Sequence, residues 1–241
     1  MKVYLPLLLP AAAAWLAADE YTVYIPEGSD TAALEEQLLP LKEIDGAAHW
    51  FYVPLSRRAD SEKQAARAAM AIRDGVSLLP CLALSDERGC YACLPLSAIG
   101  AEQIAEARRH AQAPDRDRKA KRRNYEAARY LLFARLSFKP ATDLPACRRY
   151  IDEARRLATH ESADVEDRQL LGLRVLYPLL MKKYSLLGQG AHTPESEAAL
   201  LEAIAALEAA RDLDPLSVLG RQAHAERERL RAARLKSRQY E

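Results

Sequence analysis

Along the first half of the chain, apolar positions switch repeatedly between the two-residue spacing of a strand and the three-to-four-residue spacing of a helix. "YTVYIP" (21–26) is aromatic and β-branched and predicts a strand. "EGSD" follows, where Ser29 or Asp30 can cap a helix whose apolar stripe is Leu34, Leu38 and Leu41, with Pro40 expected to bend it. "HWFYVPL" (49–55) predicts a second strand, and the alanine-rich "SEKQAARAAMAIRDG" a helix that Gly75 stops. Two short strands, "LPCLALS" and "CYACLPL", flank "DERG", a turn with glycine where positive φ is wanted. "AEQIAEARRHAQ" closes this half as a helix ahead of Pro114. The predicted order is β-α-β-α-β-β-α, which right-handed crossovers and a final hairpin turn into a four-stranded mixed sheet between helices.

From Pro114 the strand signal vanishes. "DRDRKAKRR" (115–123) is expected to be a solvated connector or first helical turn, and Tyr125, Ala128, Leu132 and Leu136 mark a helix that Pro140 stops. "DLPACRRYIDEARRLATH" (143–160) opens with an acidic cap and a first-turn proline. Residues 165–187 are apolar on more than one face, with Leu173, Leu176, Leu180, Tyr184 and Leu187 as the main stripe, so this helix should be the most buried and should bend near Pro178. "TPESEAALLEAIAALEAARDLDP" (193–215) has a threonine cap, a proline at the first position and a stripe of Leu200, Ile204 and Leu207. The last helix, from Leu216, becomes almost wholly charged and is expected to stand in solvent or dock on a partner.

The strand and helix order of residues 20–112 resembles the thioredoxin family, with Pro40 in the first helix and "VSLLPCLAL" placing Pro80 where that family has a cis proline ahead of its third strand. "AIAALEAARDLDPLSVLGRQA" resembles the second helix of a tetratricopeptide unit running into the next, and "CRRYIDEARRLATHES" has a related pattern. These two segments align 56 residues apart, against about 34 for adjacent units, so the repeat is irregular and a generic antiparallel helical bundle is the competing reading. The expected fold is therefore an α/β thioredoxin-like domain followed by an all-α, tetratricopeptide-like domain. The expected boundaries are a signal peptide over 1–18, the first domain over 19–113 and the helical domain over 114–241.

The thioredoxin resemblance implies thiol chemistry only if a cysteine starts the helix after the first strand, where free amides and the helix dipole stabilise a thiolate. In this chain that place holds "GSDTAA" (28–33), without a cysteine. The chain's Cys-x-x-Cys, Cys90 to Cys93, falls in the predicted last strand, where alternation is expected to send the two side chains to opposite faces. Cys81 is the better partner for Cys93: a three-residue loop with a bulge at Gly89 would set them opposite each other, while a four-residue loop would separate them. The alternative is that Cys81, Cys90 and Cys93 are simply small buried apolar residues. Three cysteines on one hairpin and five scattered histidines lack the pairing of a structural zinc site, and no phosphate loop, nucleophile elbow or His-Glu-x-x-His occurs. No metal, cofactor or catalytic residue is expected.

Charge and composition add a partition and a location. The formal charge of the 241-residue chain is +1, but residues 1–113 carry 10 basic and 15 acidic side chains and the remainder 25 and 19. That second half is basic yet studded with carboxylates, which argues against nucleic acid as its partner. The first eighteen residues, with Lys2, an apolar run and Ala17-Ala18 before Asp19, have the layout of a secretory signal, with a buried first strand as the alternative; two prolines make the run a poor transmembrane helix. An exported protein of the periplasm or envelope, or a secreted one, is expected. Its expected role is non-enzymatic: binding another protein or peptide as a scaffold or chaperone, as in proteins that join a thioredoxin-like domain to tetratricopeptide repeats, through Ser29, Thr31 and Pro80 in the first domain and Tyr177 and Tyr184 in the second. The alternative function is thiol–disulfide exchange through Cys81 or Cys147.

Overall fold

The computed structural model describes residues 20–44, 49–111, 113–188 and 193–238, and its chain divides into two compact units, residues 1–127 and 128–241. The segment 1–18, expected to be an export signal, lies outside the described residues.

In the first unit, strands β1 (Glu20–Pro26), β2 (His49–Leu55), β3 (Cys81–Asp86) and β4 (Gly89–Pro95) form one sheet in the order β2-β1-β3-β4. β1 is parallel to β2 and antiparallel to β3, and β3 is antiparallel to β4, so the sheet is mixed as expected. Helices α1 (Thr31–Ile44) and α2 (Glu62–Asp74) make the crossovers, and α3 (Ala101–His110) follows β4. Asp30, rather than Ser29, caps α1: its carboxylate accepts the Ala32 amide at 2.9 Å. α2 starts on the Ser61 hydroxyl and stops at Gly75, whose φ of 76° only glycine adopts without strain.

The alternation of β1 assigns one apolar set to each face of the sheet. Tyr21, Val23 and Ile25 meet Leu38 and Leu41 of α1 and Ile104 and Ala107 of α3, with Leu82 and Leu84 of β3 beside them. Tyr24 faces the other way, into a smaller cluster with Val53, Ala71 of α2, Cys81, Ala83, Cys90 and Cys93. Helices therefore cover both faces.

The expectation that 115–123 is solvated holds for Asp117, Arg118, Lys119 and Lys121, which are exposed, but not for Arg116 and only partly for Arg123. These residues form the start of α4 (Arg116–Phe138), and Arg116 is only 6% exposed. Its guanidinium donates to Asp86 at 2.9 Å, to the Gly89 carbonyl at 2.8 Å and to the Ala111 carbonyl at 3.1 Å. Arg123 donates to the carbonyls of Cys90 at 2.9 Å and Asp74 at 3.3 Å. A basic run reads as surface because nothing local shows that two of its members, two turns apart on the same helical face, reach chain carbonyls more than 25 residues away.

Burial opposes ionisation of Asp86, but the Arg116 hydrogen bonds, the Arg88 amide and both guanidinium charges outweigh it and hold its carboxyl below the usual aspartate range. A depressed pKa contributes stability that is present above the ordinary aspartate value of about 3.9 and is lost as the pH falls through the folded value. Asp86→Asn is therefore expected to cost about 2 kcal/mol near neutral pH, the scale of a hydrogen bond to a charged group, with the gap from the parent narrowing below about pH 4. Urea titrations of both proteins across pH 3–7 measure it.

In the second unit, α5 (Leu144–Ala158), α6 (Val165–Leu171), α7 (Tyr177–Leu187), α8 (Pro194–Leu213) and α9 (Val218–Arg238) follow the end of α4. Asp143 caps α5, and capping boxes open α6 at Asp164 and α8 at Thr193. The long helix expected over 165–187 is broken into α6 and α7 by a π turn at Gly172–Leu176, immediately before Pro178. Proline offers no amide to the carbonyl four residues back and its ring crowds it, and a widened turn accommodates both. Leu171, Leu173, Val175, Leu179 and Leu180 are all buried, consistent with a helix covered on several sides.

The charged α9 does not stand in solvent. Ala223 and Leu230 are buried along α8 with Leu200, Ile204 and Leu207. Arg231 bonds Glu208 at 2.5 Å and Arg234 bonds Glu197 at 2.7 Å, while Arg227, 8% exposed, reaches Glu208 at 3.4 Å. A narrow stripe of small residues lets the backbones approach and the arginine stems pack, so few apolar residues suffice.

Candidate functional site

One end of the first unit's sheet gathers the residues singled out in that unit. Tyr24 lies opposite Cys81 in the antiparallel pair, so the chain leaving β1 runs beside the chain entering β3. Ser29 and Thr31 thus share this end with Pro80. The Ser29 hydroxyl is engaged within its own turn, donating to the Pro26 carbonyl at 2.7 Å, and Thr31 is exposed at the first position of α1. The Leu79–Pro80 peptide bond is cis, and the Pro80 carbonyl accepts the Leu96 amide at 3.1 Å. Leu78 and Leu79 beside it are 65% and 40% exposed, a pair of leucines left in water on a loop.

Directly after Pro80, three sulfurs share one face of the sheet, against the expectation that Cys90 and Cys93 point apart. Cys90 pairs with Ser85 but Ala92 pairs with Leu84, so Tyr91 is an extra residue in β4. This bulge resets the alternation: Tyr91, Ala92 and Leu94 pack on the α1 face while Cys90 and Cys93 both pack with Cys81 and Ala83 on the α2 face. The hairpin loop is shorter than either length weighed, with Asp86 paired to Gly89 across Glu87 and Arg88, and Gly89 at φ 98°. Cys81 therefore lies opposite Pro95 and diagonal to Cys93, not directly opposite it, yet their Sγ atoms are 3.1 Å apart.

The environments of these thiols differ. The hydrogen bond shared with Cys93 lowers the Cys81 thiol, and the same bond, together with burial, raises Cys93. Burial, then the charge of Asp74, pushes Cys90 up to about 12. Cys147 of α5 is 0% exposed, and burial raises its thiol too.

A polar cavity of about 380 Å³ opens at the opposite end of the same sheet, lined among others by Glu20, Arg73, Asp74, Glu87, Cys90 and Arg123. At its base Asp74, 1% exposed, accepts the Tyr24 hydroxyl at 2.6 Å and the Arg73 guanidinium at 2.9 Å. Sequence reasoning missed Tyr24, Asp74, Arg116 and Arg123 alike, because their partners are between 27 and 50 residues distant and no spacing announces them.

In the second unit, Tyr177 and Tyr184 pack half-buried against Leu173, Leu200, Ile204 and Leu207, and the Tyr177 hydroxyl donates to Glu226 at 3.5 Å. Burial and that carboxylate keep its proton bound. Among the described residues no three His, Cys, Asp or Glu side chains are placed to hold a metal ion, and no helix is long and apolar enough to cross a membrane. Compared with family models, with curated proteins and with solved structures, the chain matches none.

Proposed function

We propose that the chain is a non-enzymatic, exported protein-binding module of the cell envelope, a scaffold or chaperone that takes an extended peptide on the Leu78–Leu79–Pro80 loop of a thioredoxin-like first unit. The observation that carries this reading is the exposure of Leu78 and Leu79 beside Pro80, next to a helix start that offers hydroxyls and no cysteine. An apolar pair on a loop, set against a turn whose own backbone is already bonded, favours binding over chemistry. The sheet order β2-β1-β3-β4 supports the thioredoxin-like reading, and the antiparallel α8–α9 pair across "LDP" supports the tetratricopeptide-like one. The export reading rests on the layout of the first eighteen residues.

The test is capture of envelope proteins by the tagged full chain, with thiols alkylated at lysis and eluates compared with and without reductant. The double variant Leu78→Asp/Leu79→Asp is expected to weaken capture tenfold or more. That corresponds to about 1.4 kcal/mol, less than the roughly 1.5–3 kcal/mol of burying one leucine. Partners retained by that variant would overturn the assignment of the loop, and partners released only by reductant would replace binding with exchange chemistry at Cys81.

A further inference from the structure

The three sulfurs behind Pro80 carry a second inference, independent of whether the loop binds peptides. We infer that Cys81 and Cys93 are the site of a reversible intramolecular disulfide, formed by a low-molecular-weight disulfide and selected over every other pairing of the four cysteines. Their Sγ atoms are 3.1 Å apart on one face of neighbouring strands. A disulfide needs about 2.05 Å, so the two sulfurs close a gap of about 1 Å.

Selection follows from where the other thiols are. Cys90 shares the face, but its sulfur is turned to the Ala92 carbonyl at 3.2 Å. Cys147 sits in the second unit with no exposed surface. Of the close pair, Cys81 is 2% exposed while Cys93 is half-buried, so a small oxidant approaches from the Cys93 side. The two sulfurs are already in hydrogen-bond contact, in which either thiol can donate, so the reacting pair is brought together before any oxidant arrives.

The chemistry balances with the oxidant named. One protein thiol gives its proton to solvent, and its sulfur attacks a sulfur of the low-molecular-weight disulfide RSSR, displacing RS⁻. The second thiol then loses its proton and its sulfur displaces the remaining RS⁻. The protein dithiol is oxidised by two electrons, RSSR is reduced to two RSH, and one protein S–S bond replaces one RS–SR bond. Because Cys81 directly follows Pro80, the bond ties the base of the exposed leucine loop to β4.

The experiment uses the full chain in glutathione/glutathione disulfide mixtures of graded ratio, quenched by alkylation and read by intact mass and peptide mapping. The expected species is lighter by two hydrogens, with two of its four cysteines alkylated, the Cys81 peptide joined to the Cys93 peptide, and complete return of four free thiols on reduction. Cys90→Ser is expected to leave the linkage unchanged. In urea the pairing should become mixed, which shows that the folded hairpin makes the selection. A Cys90–Cys93 linkage, a lasting glutathione adduct, or four alkylatable thiols in fully oxidising buffer would each overturn the inference. The map of the parent chain decides the matter by itself, so a poorly folding variant does not obscure it.

Discussion

Gly220→Ala is expected to remove about 3 kcal/mol or more from the second unit, the upper range for forcing atoms into a filled space. A Cβ built on Gly220 would stand 2.0 Å from the Asp214 carbonyl oxygen, 3.0 Å from its carbon and 3.1 Å from the Pro215 Cα. All three are backbone atoms of the turn between α8 and α9, so no side chain can swing aside. Alanine would favour the helix intrinsically by about 1 kcal/mol, and steric conflict overrides that gain. The turn is held besides by Gln169, whose amide donates to the carbonyls of Ala210 at 3.0 Å and Asp214 at 2.9 Å, and by Ser217, whose hydroxyl accepts the Gly220 amide at 2.9 Å. A displaced Asp214 therefore loosens α6, α8 and α9 together. Denaturant unfolding followed by circular dichroism measures the loss. Gly172→Ala is the control: its Cβ meets the Ala210 Cβ at 3.0 Å, a side-chain contact that a shift of a few tenths of an ångström relieves, and its cost should be clearly smaller. Equal stability of Gly220→Ala and the parent would mean that the α8–α9 turn is not as close as described.

Asp74→Ala is expected to cost the first unit about 3 kcal/mol, the upper end of the range for leaving a buried hydrogen-bonding group without its partner. The carboxylate ties the last residue of α2 to β1: it accepts the Tyr24 hydroxyl and pairs with Arg73, its own neighbour in the helix. The Arg73 side chain is half exposed and recovers water, so most of the loss belongs to the Tyr24 hydroxyl left unsatisfied in the core. Tyr24→Phe should accordingly cost less, about 1–3 kcal/mol, and the double variant Asp74→Ala/Tyr24→Phe should be less damaged than the two singles added together. Additive losses would show that the 2.6 Å contact contributes nothing. Burial and the Asp74 hydrogen bond raise the Tyr24 pKa far above that of free tyrosine. A raised acid pKa contributes stability present in full below the unfolded value of about 10 and lost as the pH climbs beyond it, so the parent should lose stability in alkali and Tyr24→Phe should lose less.

The sulfur cluster and the buried arginines show how far the sequence carried. Alternation in "CYACLPL" correctly predicts a strand, but a single bulged residue at Tyr91 reverses which face Cys90 shares with Cys93. A bulge belongs to a pair of strands, not to one, and becomes visible only when Leu84 and Ser85 take their partners. The resemblance places Pro80 before the third strand, whereas the exposure of Leu78 and Leu79 depends on which described residues pack beside them.

By itself the sequence determined the order and type of the elements, because periodicity, caps and stops act within a few residues: Asp30, Ser61, Asp143 and Thr193 start helices, Gly75 ends one, and apolar alternation marks β1 and β2. It also determined that no cysteine starts α1. Only the tertiary structure decided what pairs at a distance: Arg116 with Asp86, Tyr24 with Asp74, Cys81 with Cys93, and the charged α9 with α8. Hydrogen bonds and ion pairs across 12 to 50 residues depend on strand register and helix docking. Those are properties of the assembled layers, and no local stretch of sequence contains them.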